Sequence, residues 1–455
     1  MYFLYSLLLT AGFVVLLPRF LWDAVRHGKY AAGFGERTGG VEPVEAGGQP
    51  VVWLHCVSVG ETQAARPLAR AVLDAFPEHA LVVSTTTLTG QRLARAAFDG
   101  LALRVFYFPF DWAWSVRRSL RRVNPAAVLV METELWPRFL SECRASGVPV
   151  ALLNGRISEN SFRRYRLVKS FIGRVLGDID LAVMQSAADA ERLLALGARP
   201  ERVKVSGNVK FDLDDGGDQL RLTEELRQRF RTDRGGPLVV AASTHAPEER
   251  IVIDSFIQLR RVMDEQRPRL MIAPRHPERF DEVAALLDSS GVRWARRSRP
   301  AADGDAECEA VLLDTVGELR AVYPLAELVF VGGSVARVGG HNVIEPAAAA
   351  RCVVTGAHTS NFKAVVRAFL ERGALVQLPD LEADEAASAA LAGVFRELLE
   401  DGPRRRRIGE AARAVIDENR GATGRTVALL RPLLEAGPPA RPARAHAGTE
   451  LTPGR

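Results

Sequence analysis

Cysteine is scarce: the 455 residues contain four, at 56, 143, 308 and 352, and their spacing matches no metal-ligand pattern. That excludes a disulfide framework and a zinc module, and it reads as small reduced core residues of a cytosolic protein. Charge of one sign is in short supply as well, since 60 Lys and Arg face 55 Asp and Glu for a net +5. No basic stripe interleaved with aromatics runs through the chain, so nucleic acid is not the expected partner. The N-terminal apolar stretch has no positive leader and no small-residue cleavage site, which argues against a cleaved signal peptide.

The length suits two or three domains of about 100–200 residues each. Apolar residues at 47% and charged ones at 25% are ordinary for a globular body with a core. Arg greatly outnumbers Lys, which favours planar, bidentate partners such as phosphate or carboxylate. Residues 1–27 open with "MYFLYSLLLTAGFVVLLPRFLW", free of charged side chains before Arg19 and followed by Arg26 and Lys29. The segment reads as a hydrophobic anchor, spanning or interfacial, and its basic flank keeps the remaining chain in the cytoplasm.

From residue 51 onward, short apolar runs alternate with helical periodicities. "VVWLHCVS", "ALVVSTTT", "LRVFYFP", "AAVLVME", "PVALLNGR" and "DLAVMQS" read as strands, each followed by a helix. Continuous apolar strands alternating with helices imply a parallel sheet covered on both faces. The first Rossmann-like domain is expected over 28–211. A Gly/Asp-rich linker follows over 212–235, where Asp212, Asp214 and Asp215 read as a solvated turn rather than a metal site. A second domain of the same kind is expected over 236–435, and the Pro/Ala/Arg-rich tail 436–455 is expected to be disordered. Two doubly wound halves imply a cleft, with ligands outside the carboxyl ends of the strands.

In the second half, "FVGGSVARVGGHNVIEPAA" places Gly332, Gly333, Ser334, Gly339 and Gly340 between a strand and a helix. The glycines admit close approach of a ligand, and a helix start near His341 and Asn342 offers N–H groups to an anion. Glu345 stands on that first turn, where it can accept from ribose hydroxyls. "IAPRHPE" sets Arg275 and His276 between two prolines as a rigid wall, and "AASTH" sets Ser243 and Thr244 at another strand end. In the first half, Glu61 of "SVGE" lies on a strand-to-helix turn made possible by Gly60, at a helix start that favours an ionised carboxylate. "METELWP" carries Glu132 and Glu134 at the end of a strand.

"SVGE", "METELWP", "NGRIS", "GNVKFD", "PRHPERF", "GGS" and "GGHNVIEPA", in that order, resemble the 3-deoxy-D-manno-octulosonate (Kdo) transferases of lipopolysaccharide assembly, over about residues 28–430. The resemblance implies a GT-B fold and inverting transfer of Kdo from CMP-Kdo to the lipid A precursor, lipid IV(A), at the cytoplasmic face of the inner membrane. It implies that Glu61 is the general base, within hydrogen-bond reach of the acceptor hydroxyl. A carboxylate of "METELWP", Glu134 in preference to Glu132, would support the transition state, and Lys210 would balance the departing CMP phosphate. Arg156, Arg163, Arg164, Arg166 and Lys169, interspersed with apolar residues, would meet the acceptor phosphates and the membrane. No metal or other cofactor is required on this reading. A nucleotide-sugar epimerase on the same architecture and a non-catalytic lipid-binding protein are the alternatives, and the anchor, Glu61 and the glycine string count against them.

Overall fold

The computed structural model describes residues 2–27, 33–57, 59–212, 217–232 and 235–435. The expected tail 436–455, Lys29 and the linker residues Asp214 and Asp215 lie outside these. The chain divides into two units, Met1–Asp212 with Gly421–Arg455, and Leu213–Arg420.

The first unit is built on β1 (Val51–Cys56), β2 (Ala80–Thr85), β3 (Arg104–Tyr107), β4 (Pro125–Met131), β5 (Val150–Gly155), β6 (Leu181–Met184) and β7 (Val203–Val205). The strands pair in parallel in the order β3-β2-β1-β4-β5-β6-β7. Every residue of β1, β2, β4 and β5 is buried, as their unbroken apolar runs demand. Alternate side chains serve the two faces: Trp53, Val82, Val128 and Leu152 join one core, and Val52, Leu54, Leu81 and Leu129 the other. Because β1 is flanked by β2 and β4, the strand order reverses there, and the crevice at the carboxyl ends of β1 and β4 is the place for a ligand.

The second unit repeats the plan with β8 (Leu238–Thr244), β9 (Arg269–Pro274), β10 (Trp294–Arg296), β11 (Ala310–Leu312), β12 (Leu328–Val331), β13 (Cys352–Thr355) and β14 (Val376–Gln377). These are parallel too, in the order β10-β11-β9-β8-β12-β13-β14. Here the reversal falls between β8 and β12, so Ser243, Thr244 and the glycine string meet at one crevice.

Two boundaries differ from the sequence reading. The expected linker contains the helix Gly217–Phe230, whose Leu226 and Phe230 are fully buried and whose Thr223 Oγ1 donates to Ala321 O at 2.8 Å, so it belongs to the second unit. The helix Ala422–Glu435 joins the first unit, because Ala422, Val427, Leu430 and Leu434 pack with Leu68, Val72 and Leu81. Asp212, expected as a solvated turn, accepts the N–H of Gly421 at 2.7 Å and of Thr423 at 2.5 Å, tying that return in place.

The segment expected as a hydrophobic anchor, spanning or interfacial, forms the helix Tyr2–His27. Among the described residues no helix is long and apolar enough to cross a membrane. Instead, one face of this helix is docked. Tyr5 Oη donates to Asp111 Oδ2 at 2.8 Å, Tyr2 Oη donates to Asp178, Trp112 Nε1 donates to Thr10 Oγ1 at 3.2 Å, and both tyrosine rings meet Phe171. Its other face leaves Phe3, Leu4, Leu7, Leu8, Val14 and Val15 exposed.

Candidate active site

At the crevice of the first unit, β1 runs into the helix Val59–Ala75, and Glu61 sits in its first turn. The side chain is only 5% exposed, and Oε2 accepts the N–H of Val57 at 2.7 Å. The carboxylate therefore reaches back over the helix start and is held there by a backbone donor, which fixes its orientation.

β4 delivers the neighbouring acids. Glu132 takes a left-handed backbone conformation, φ 54°, directly after the strand, while its N–H still bonds Leu153 O at 2.8 Å. A non-glycine residue held there stores strain of about 1–3 kcal/mol, the kind that recurs where a side chain must be aimed. Glu132 Oε1 meets Lys210 Nζ at 2.7 Å. Burial, and after it the charge of Glu132, raises the Glu134 carboxyl above its ordinary value. Burial likewise pushes the Cys56 thiol well up, with the charges of Glu61 and Glu132 adding to it.

Lys210 stands on the short turn Val209–Phe211, whose Val209 N–H is held by Asn154 Oδ1 at 3.1 Å. Asn154 is fully buried and left-handed, φ 54°, at the end of β5. The sequence reading passed over it, although an Asn-Gly pair closing a strand was the available signal.

The basic residues expected to serve an acceptor separate into two groups. Arg156 is half-buried, and its backbone is clamped to Thr133, which accepts Arg156 N–H at 2.9 Å and donates to Arg156 O at 2.6 Å. Arg163, Arg164, Arg166 and Lys169 are exposed, the first three on the helix Glu159–Leu167 and Lys169 at the start of Lys169–Leu176. Arg163 pairs with Glu159 on its own helix, which weakens its claim on a ligand. Tyr165, half-buried on that helix, has its phenol raised by burial and then by Glu134, so the helix lies beside the β4 carboxylates.

In the second unit the observed glycine loop differs from the expected one. Glu248, absent from the sequence-based assignment, is fully buried at the start of the helix Glu248–Val262. Its carboxylate accepts the N–H groups of His245 (3.0 Å), Gly333 (2.7 Å), Ser334 (2.9 Å), Val335 (2.8 Å) and Ala336 (3.1 Å). The anion cradled by the first glycine pair is thus one of the chain's own carboxylates. Gly332 is required here, since a Cβ would come 2.8 Å from Glu248 Oε2 and 2.7 Å from Ser243 O. Ser334 is fully buried; its hydroxyl donates to Val331 O at 2.6 Å and accepts Gly356 N–H at 2.8 Å. Gly339 and Gly340 fold back inside the loop, the latter bonding Gly333 O at 2.7 Å.

The expected anion-binding helix start is also smaller than anticipated. The helix Ile344–Ala348 has five residues, and Asn342 Oδ1 already accepts the Ile344 N–H at 3.0 Å. Ligand-facing chemistry therefore rests on side chains. Arg275 and His276 are exposed at the end of β9, and Arg275 N–H holds Thr244 O at 3.0 Å. Thr244 Oγ1 is buried without a hydrogen-bond partner, and Ser243 is left-handed, φ 54°. His341 lies against Gly333, and its Nε2 is 2.7 Å from that of His245. Burial raises the Glu345 carboxyl, opposed by Arg320, Asn342 and Arg275. Among the described residues no group of three or more His, Cys, Asp or Glu is arranged to hold a metal ion.

The family model described as 3-deoxy-D-manno-octulosonic-acid transferase (kdotransferase) matches residues 32–213. The chain is 34% identical over 386 residues to a 3-deoxy-D-manno-octulosonic acid transferase of Haemophilus influenzae, covering 84% of this chain and 87% of that one. A protein of the same description from Bordetella pertussis is 37% identical over 383 residues, covering 83% and 86%. Among solved structures, a UDP-GlcNAc 2-epimerase from Neisseria meningitidis superposes with a TM-score of 0.53 at 11% identity, covering 85% of this chain and all of that one, a likeness of fold alone. With two parallel-sheet units of the GT-B class and this degree of identity along most of its length, the chain belongs to the 3-deoxy-D-manno-octulosonic acid transferase family of glycosyltransferases.

Proposed function

We propose that the protein transfers Kdo from CMP-Kdo to lipid IV(A) with inversion, using Glu61 as general base. The observation that carries this reading is the placement of Glu61 just after β1 and of Glu132 and Glu134 just after β4, its neighbour in the sheet, in a chain of this family. Glu61 is anchored by Val57 N–H, so its basic oxygen is oriented before an acceptor arrives. A proton leaves the acceptor hydroxyl for Glu61 as the oxygen attacks the anomeric carbon and the bond to the CMP phosphate breaks. The sugar ring gains positive charge in that step, and the Glu132/Glu134 pair would stabilise it electrostatically. Lys210, paired with Glu132, would fix that carboxylate and respond to the departing phosphate.

The donor is assigned to the second unit, where Ser243, Thr244, Arg275, His276, His341, Asn342 and Glu345 line the β8/β12 crevice. No metal is invoked, since the leaving group is a single phosphate monoester that basic side chains can balance. The acceptor is assigned to the first unit, beside Arg156, Arg164, Arg166 and Lys169. The N-terminal helix is proposed to lie along the cytoplasmic face of the inner membrane with its exposed apolar face in the lipid. Incubation with CMP-Kdo and tetra-acylated lipid IV(A), followed by mass spectrometry, tests the assignment. A mass increase of one or more Kdo units is expected, and unchanged lipid would overturn it.

A further inference from the structure

Three histidines gather at the β8/β12 crevice. His245 follows β8, His276 follows β9, and His341 closes the glycine loop after β12. His245 and His341 lie nearly parallel, ring centroids 4.9 Å apart at 6°, with Nε2 to Nε2 at 2.7 Å. The His276 ring stands edge-on to His245 at 5.0 Å. Two imidazole nitrogens at hydrogen-bond distance share one proton between them, one as donor and the other as acceptor. A further proton can enter at the outer Nδ1 of the donating ring, but it leaves a full positive charge on the pair, which burial resists.

The surroundings reinforce that resistance. Burial lowers His245, and His276, Arg275 and Arg279 lower it further. Burial likewise brings His341 down to about 4, with His245, Arg275 and His276 adding to it. The nearby carboxylates are committed elsewhere. Glu248 is filled by five backbone N–H groups, Glu249 and Glu282 hold Arg279, and Glu345 is engaged with Asn342 and reached by Arg320 and Arg275; only the exposed Glu278 faces the cluster, 3.8 Å from His276. The crevice is therefore a proton-poor, electropositive cup. An anion entering it reverses the field that keeps the pair uncharged, and an opposite charge at this range raises an imidazole pKa.

We propose that His245 and His341 act as one proton-accepting pair, taking up a proton from solvent when the phosphate of the nucleotide donor binds, so that donor affinity rises as pH falls. The inference rests on the assignment of the donor to the second unit and adds a charge-matching device to it. The proton goes from solvent to the outer Nδ1 of the ring that donates through Nε2, the Nε2–H···Nε2 hydrogen bond stays in place, and no other bond changes. Linkage sets the sign: bound protein carries more protons than free protein, so binding strengthens toward lower pH.

The test uses cytidine 5′-(methyl phosphate), a diester with one fixed negative charge, because the monoester of CMP itself titrates near pH ~6. Calorimetry at about pH 6.5, in two buffers of different ionisation enthalpy, reads the protons exchanged. Wild-type protein is expected to take up a fraction of a proton, with affinity rising by up to ~10-fold per pH unit on acidification. His245→Gln and His341→Gln should each bind with a buffer-independent enthalpy and a flat pH profile. Wild-type binding without proton uptake would overturn the pair while leaving the donor assignment standing. Uptake that survives in both glutamine variants and vanishes in His276→Gln would overturn it too. Failure of both the diester and CMP to bind would bring down the donor assignment, and the pair with it.

Discussion

Glu132 and Lys210 lie 78 residues apart in sequence and form an ion pair of 2.7 Å, each side chain about a quarter exposed. The pair joins the end of β4 to the turn at Val209–Phe211, and Asn154 holds that turn from β5. A lysine so placed holds its carboxylate partner in position. Lys210→Met and Glu132→Gln should therefore be non-additive, with the double variant losing less kcat than the sum of the singles. A coupling of about 1 kcal/mol is expected for a pair of this exposure. Strict additivity in a double-mutant cycle would show that the two act separately.

Glu61→Gln keeps an oxygen for the Val57 N–H and removes the proposed base. Turnover should fall by about 10²- to 10⁴-fold while CMP affinity and the denaturation midpoint stay unchanged. Single-turnover assays with calorimetry on the same preparation separate the two effects. A variant that keeps wild-type turnover would place the base elsewhere.

The five N–H groups converging on Glu248 make it the support of the whole glycine loop. Glu248→Ala leaves buried donors without an acceptor, each costing about 1–3 kcal/mol if none relaxes. A loss of at least about 3 kcal/mol in urea denaturation is expected, together with weaker CMP binding. Ser334→Ala, which removes one hydroxyl from the same loop, should cost far less.

The strands were legible because buried parallel strands are written as unbroken apolar runs, and "VVWLHC", "AAVLVM" and "LVFV" each became one. Their ends then placed Glu61, Glu132 and Glu134 without reference to tertiary contacts. The glycine string was legible as a loop, but its occupant was not, because Glu248 meets it across 85 to 88 residues. In sequence, the acidic start of the helix Glu248–Val262 is indistinguishable from an ordinary favourable end charge. The return of Ala422–Glu435 to the first unit escaped for a related reason. An amphipathic helix announces that it will be covered, not which sheet will cover it.

His55, fully buried on β1, stacks on Phe108 at 3.8 Å and bonds Ser84 Oγ through Nδ1 at 2.9 Å. Burial depresses it from 6.5 to about 3. The unfolded chain binds this proton more readily, so its contribution is complete above pH ~6.5 and is lost as pH falls toward the folded value. Between pH ~6.5 and ~5 the loss should approach 2 kcal/mol, at about 1.4 kcal/mol per pH unit. His55→Gln, able to bond Ser84 but not to titrate, should show a shallower decline over that window. Denaturation of both proteins at several pH values gives the difference, and parallel curves would refute the assignment.

The N-terminal helix turns Phe3 (81% exposed), Leu7 and Val15 (77% exposed) outward while Tyr2 and Tyr5 hold it to Asp178 and Asp111. Those tyrosines also pack on Phe171 of the helix Lys169–Leu176, so the outward apolar face continues toward Leu167, Val168 and Lys169. An apolar strip bordered by basic side chains suits an anionic lipid surface. Deleting the helix would strip Asp111 of the Tyr5 hydroxyl, so loss of function after deletion would not separate docking from folding. Phe3→Ser, Leu7→Ser and Val15→Ser together leave the tyrosine anchors intact. The triple variant should keep its denaturation midpoint and its rate on detergent-dispersed acceptor. Its co-flotation with vesicles containing phosphatidylglycerol should fall at least about tenfold, since each buried apolar side chain contributes about 1.5–3 kcal/mol. Salt should weaken the wild-type association through Arg164, Arg166 and Lys169, whereas the residual binding of a Lys169→Glu, Arg166→Glu variant should depend on salt far less. Undiminished flotation of the triple variant would mean that this face is not the one that meets lipid.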